Sequence, residues 1–96
     1  MKVRHIVLLK FKDRSKADDL FRALGELKKP IPAILEYTYG PYSSPEGLNQ
    51  GYEYAFVMVF ADAAARNLYL EHPEHERVKQ TYLPFVESVL AFDYES

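Results

Sequence analysis

The sequence predicts an α+β fold with the element order β-α-β-β-α-β. Three observations predict it. Residues 2–12 alternate with the two-residue period of a strand. Ala17, Leu20, Phe21, Leu24 and Leu27 recur at the three-to-four spacing of an amphipathic helix. Two further strand-like runs then precede a helical stretch restarted at Pro73, and an apolar run closes the chain.

In the first strand Val3, His5, Val7, Leu9 and Phe11 share one face, and Arg4, Ile6, Leu8 and Lys10 share the other. A strand with one solvated face shows polar residues throughout that face. Ile6 and Leu8 break the rule and so call for cover. Asp13-Arg14-Ser15 ends the strand. Ser15 is the expected N-cap, with Asp18 and Asp19 in the first turn, where the helix dipole favours them. The helix is expected to reach Lys29, and Pro30 and Pro32 stop it.

Ile34 to Tyr39 reads as the second strand. Residues 40–51, with Gly40, Pro41, Pro45, Gly47 and Gly51, read as loop. Tyr52 to Phe60 reads as the third strand, with Phe56, Met58 and Phe60 on one face and Ala55, Val57 and Val59 on the other. Asp62 is placed to cap a helix from Ala63 to Leu70. Pro73 opens a second helical segment just after His72, running through Val78 and Tyr82 to Phe85 with a kink at Pro84. Val86 to Tyr94 forms the fourth strand.

This order is the ferredoxin-like split βαβ arrangement: a four-stranded antiparallel sheet, both helices on one face, and strand 4 beside strand 1. The opposite face lacks a helix, yet it carries Ile6, Leu8, Ala55, Val57 and Val59. An apolar sheet face left open marks an interface. The expectation is a homodimer packed sheet on sheet, a dimeric α+β barrel.

Composition supports that reading. The chain has 96 residues, 48% of them hydrophobic, enough for one domain over residues 1–96. A chain this short buries only roughly 60–65% of its unfolded surface, so a partner surface helps it. With no cysteine, disulfides and thiolate zinc sites are excluded. The charge sum, 12 − 14 = −2, supplies no basic face for nucleic acid or an anionic membrane. No apolar run approaches a membrane span, and Ile6–Leu9 is too short for a signal-peptide core. A cytoplasmic setting is expected. Eight tyrosines are many for this length. Tyr37, Tyr39, Tyr42, Tyr52 and Tyr54 cluster around the 40–51 loop, either lining a pocket mouth or ending strands.

The chemistry-bearing candidates converge at one end of the fold. Strand 1 runs antiparallel to strand 4, so His5 and Asp93 meet on the helix side. Tyr69 lies six residues before His75. A histidine titrates near working pH and can take a proton. A phenol can donate to a developing enolate oxygen. A carboxylate can hold an imidazole tautomer. Tyr54, Phe56 and Met58 join His5 and Asp93 as the expected pocket lining. Each residue also has an ordinary structural reading: His72 as a cap, His5 and Asp93 as strand polars, Tyr69 as core. His5, His75 and Asp93 have metal-ligand chemistry without metal-ligand spacing, and the 40–51 loop has no phosphate-loop pattern. Neither a metal nor a cofactor is expected.

The segments His5-Ile6-Val7-Leu8-Leu9-Lys10-Phe11-Lys12, Ser44-Pro45-Glu46-Gly47-Leu48, Gly51-Tyr52, Tyr69-Leu70-Glu71-His72-Pro73-Glu74-His75 and Phe92-Asp93-Tyr94-Glu95 resemble the stress-responsive α/β-barrel (Dabb) domain over essentially the whole chain. The resemblance implies a ferredoxin-like barrel and a homodimer. In olivetolic acid cyclase-type members, which perform a cofactor-free aldol cyclisation, it implies His75 as general base and Tyr69 as support for the substrate carbonyl, with His5 near the pocket. Tyr54 departs from that pattern, which has histidine there, so the pocket shape does not carry over. The function expected is binding of a small, mostly apolar molecule between sheet and helices. The alternatives are a cyclase-like lyase using His75 and Tyr69, and a stress-protective dimer without chemistry.

Overall fold

Period-two alternation decides the sheet first. A computed structural model describes residues 1–96. Strand β1 (Val3–Phe11) buries every odd residue and half-buries every even one, as its alternation requires. It is central: β3 (Tyr54–Phe60) pairs antiparallel on one side and β4 (Val86–Glu95) antiparallel on the other. The edge strand β2 (Glu36–Pro41) pairs with β3, giving the order β2-β3-β1-β4. The fold is the predicted ferredoxin-like α+β arrangement with a four-stranded antiparallel sheet.

Helix α1 (Ala17–Glu26) connects β1 to β2 and buries Ala17, Leu20, Phe21 and Leu24. Its entry differs from expectation. Ser15 lies within a short 3₁₀ turn, Arg14–Lys16, and Asp13 is the cap: its carboxylate accepts from the Ser15 backbone N–H at 3.0 Å and from the Ser15 hydroxyl at 2.6 Å. The Ser15 oxygen is thereby occupied as a donor, and α1 begins without a side-chain cap. The helix also ends at Glu26, and turns carry the chain through Lys29.

Helix α2 (Ala63–Glu71) starts where Asp62 accepts from the Ala65 N–H at 2.9 Å. Helix α3 (Pro73–Tyr82) follows at once, broken from α2 at His72, whose backbone is extended before Pro73. The His72 imidazole accepts from the Glu74 N–H at 3.1 Å and caps α3. A 3₁₀ turn, Leu83–Phe85, holds Pro84 in place of the last helical turn expected to reach Phe85.

Two strands start later than their apolar patterns suggest. Ile34 is buried but precedes β2, sealing the core from the connection after Pro30 and Pro32. Tyr52 precedes β3, where the positive backbone φ of Gly47, Gln50 and Gly51 bends the loop.

The core lies between the helices and the inner sheet face, around Phe21, Phe56, Met58, Phe60 and Tyr69. The tyrosine cluster belongs partly to it. Tyr39 stacks on Phe21 with ring centroids 4.7 Å apart, and the Tyr37 hydroxyl donates to the Phe21 carbonyl at 2.8 Å. On the outer face Ile6, Leu8, Ala55 and Val57 stay half-exposed. Val59, expected among them, is only 4% exposed. It sits in register between Arg4 and Glu36, and long charged side chains cover an apolar neighbour with their stems. Strand β4 extends this face instead: Leu90 and Phe92 pair with Leu8 and Ile6, and Phe92 is 65% exposed.

Candidate functional site

The site forms where β1, β4, α2 and α3 meet. Register places His5 opposite Asp93. His5 Nδ1 lies 2.7 Å from Asp93 Oδ1. A carboxylate accepts, so His5 carries its proton on Nδ1. The second oxygen, Asp93 Oδ2, accepts from the Arg66 guanidinium at 2.7 Å. Three elements, α2, β4 and β1, are thus tied through one carboxylate. All three side chains are less than a quarter exposed.

Arg66 was not singled out from the sequence. It lies one turn before Tyr69, at i and i+3, and so shares that residue's sheet-facing side of α2. That spacing was the available signal.

Tyr69 is fully buried, with its ring between the two histidines: 5.9 Å from His5 and 4.2 Å from His75 by centroids. Burial pushes its phenol pKa well above the ordinary value. Its hydroxyl is the one sealed side-chain polar atom without a hydrogen-bond partner. Such an atom costs about 1–3 kcal/mol when left unpaired.

His75 is 8% exposed at the first turns of α3. Its Nδ1 is 3.3 Å from the Leu70 carbonyl, a long contact that only an N–H can satisfy. Nε2 is then the lone-pair nitrogen. Burial lowers the His75 pKa below the usual imidazole value, opposed by the Leu70 carbonyl and assisted by Lys79 and His5. His75 is therefore neutral at pH 7 and able to accept a proton.

A cavity of about 240 Å³ opens beside these groups, between the β1–β4 half of the sheet and helices α1 and α3. Small-molecule sites start near 300 Å³, so the cavity falls below that range. Twelve of its 15 wall residues are hydrophobic. His5, Phe56 and His75 are in the wall. Tyr54, Met58 and Asp93 are not: Tyr54 packs edge-on to Phe11, Met58 is sealed in the core, and Asp93 stands behind His5. Tyr69 is likewise absent from the wall. The residues that complete it, including Leu20, Leu24, Val78 and Val89, come from β1, α1, α2, α3 and β4, with Leu83 from the 3₁₀ turn. No group of three His, Asp or Glu side chains is placed to hold a metal ion.

The model of the stress responsive A/B barrel domain, Dabb, matches residues 3–96. The chain belongs to this family. Among relatives of the Dabb domain, olivetolic acid cyclase of Cannabis sativa is 29% identical over 97 residues, covering 98% of this chain and 96% of the relative. The crystal structure of At3g17210 from Arabidopsis thaliana superposes with a TM-score of 0.90 at 28% identity, covering 98% of this chain and 94% of that one. A dimeric ferredoxin-like protein of unknown function from Jannaschia superposes with a TM-score of 0.86 at 26% identity, over the full length of both chains. No helix of this Dabb chain is long and apolar enough to cross a membrane.

Proposed function

We propose that this chain is a homodimeric, cytoplasmic Dabb protein that binds a small, mostly apolar molecule between its sheet and helices. The observation carrying the reading is the cavity: about 240 Å³, apolar on most of its wall, with His5 and His75 as convergent polar groups. A non-catalytic protective dimer would need no such space. The open apolar face of Ile6, Leu8, Ala55, Val57 and Phe92 supports the dimer, as does the dimeric state printed for the Jannaschia neighbour. The test uses 1-octanol as a neutral probe, observed by ligand NMR. Binding to the wild type, lost in Val78→Trp with the melting temperature retained, is the expected result. A wild type that does not bind octanol overturns the reading.

One observation favours chemistry in the same site: the Leu70 carbonyl holds His75 Nδ1 and leaves Nε2 unpaired. A cofactor-free lyase of the aldol-cyclising kind would use this nitrogen to remove a proton beside a carbonyl. The unpartnered Tyr69 hydroxyl, sealed behind the wall, would donate to the developing enolate oxygen once a shift of the wall side chains exposes it. The similarity to olivetolic acid cyclase points the same way. Replacing His75 by Ala is expected to abolish cyclisation of a linear poly-β-ketone while the fold survives. Undiminished turnover removes His75 as base.

A further inference from the structure

Asp93 stands apart in its strand. From Val89 to Glu95 it alone is not exposed, and Arg66 of α2 lies against it. Its two carboxylate oxygens meet two donors, His5 Nδ1 and the Arg66 guanidinium, each at 2.7 Å. The donors are unlike. An imidazole nitrogen donates or accepts according to its tautomer, whereas a guanidinium only donates. The arginine therefore has one way to meet this side chain, and the histidine has two.

Arg66 is itself held at both ends. Its backbone N–H donates to the Asp62 carbonyl at 3.2 Å, at the capped start of α2. Its Nε donates to Asn67 Oδ1 at 2.9 Å. With its side chain only 22% exposed, most of it is shielded from water. The guanidinium is thus a fixed donor, and the Asp93 side chain must turn an acceptor towards it.

The other side of this arrangement is the cavity. His5 and His75 are both in its wall, and each spends its Nδ1 proton, one on Asp93 and the other on the Leu70 carbonyl. Each ring then keeps its lone pair on Nε2. Neither Nε2 is sealed off without a partner. A proton on His5 Nε2 would instead turn a donor into the cavity that the His75 lone pair faces.

We propose that Arg66 is a positioning residue for His5. By gripping one oxygen of Asp93, it fixes which atom of that side chain faces His5, and so which His5 nitrogen carries the proton. The carboxylate is thereby held with its free oxygen on Nδ1, and the His5 lone pair is kept on Nε2. Arg66 touches neither the cavity nor His5; it acts only through Asp93. The proposal deepens the binding reading, because it assigns the atom that His5 offers a bound molecule.

The experiment reads the His5 ring by long-range nitrogen–proton NMR of the empty protein at about pH 8, where an ordinary imidazole is neutral. The wild type is expected to carry the proton on Nδ1. Asp93→Asn keeps the shape of the side chain and is the decisive variant. Its amide oxygen must go to Arg66, so its NH2 faces His5 Nδ1, and the proton is expected to move to Nε2. Adding Arg66→Met frees the amide to turn, and both tautomers should coexist. Adding Arg66→Lys instead restores a group that only donates, and the Nε2–H form should return. If Asp93→Asn leaves the proton on Nδ1, the proposal is overturned, whether or not the double variants fold. It is equally overturned if the Nε2–H form persists undiminished with Arg66→Met. No ligand enters these spectra, so an unchanged tautomer leaves the binding reading intact, and a failure to bind octanol leaves the role of Arg66 intact.

Discussion

His5 and His75 face one cavity with their Nδ1 atoms tied to different partners, a carboxylate and a backbone carbonyl. The difference matters because His75 has its pKa lowered mainly by burial. Above the unfolded value of 6.5, His75 is neutral in both states and contributes no pH dependence. As pH falls below it, the unfolded chain takes the proton first and stability is lost, until the folded state also protonates. Thermal melts should therefore fall in temperature below about pH 6.5, and His75→Gln should flatten that fall. Tyr69 carries a second test. Tyr69→Phe removes the unpartnered hydroxyl and keeps the ring between the histidines, so the variant should gain on the order of 1 kcal/mol in a denaturant titration. The pairing of His5 with Asp93 was legible in the sequence, because parity and antiparallel register are local properties of strands. Arg66 was not: which partner a helical arginine reaches depends on how α2 is rotated against the sheet.

At the scale of elements, caps and prolines account for most boundaries. Asp62 holds the start of α2, the helix that carries both Arg66 and Tyr69. Asp62→Ala is expected to cost about 1 kcal/mol, read from the denaturation midpoint. Because α2 also presents Arg66, the same variant tests whether His5 loses its ordered contact to Asp93, visible in its ring NMR shifts. The misplaced boundaries have a common cause. Asp13, not Ser15, caps the turn before α1, since two capping residues stood within three positions and only geometry chooses between them. Ile34 is apolar without being strand: it is buried by the turn after Pro32, and hydrophobic pattern reports burial before it reports backbone conformation.

At the scale of the molecule, the outer sheet face ties fold to assembly. Ile6, Leu8, Ala55 and Val57 continue into Leu90 and Phe92 across the β1–β4 pairing. A charge there is costly only if the face is covered. The double variant Val57→Asp, Phe92→Asp should leave the fold intact and sediment as a single 11.1 kDa species, whereas the wild type is expected to sediment at twice that mass. A wild type of 11.1 kDa would remove the proposed dimer.

Periodicity, punctuation and parity in the sequence determined the four antiparallel strands, the helices on one face, the meeting of His5 with Asp93 and the open apolar face. Each follows from side-chain directions set by the local backbone. Only the tertiary structure decided that Tyr69 lies sealed between two imidazoles, that Arg66 neutralises Asp93, and that a largely apolar cavity opens beside them. Those depend on the spacing and rotation of helices packed against a twisted sheet, which arise from the fit of many side chains at once and from no single stretch of chain.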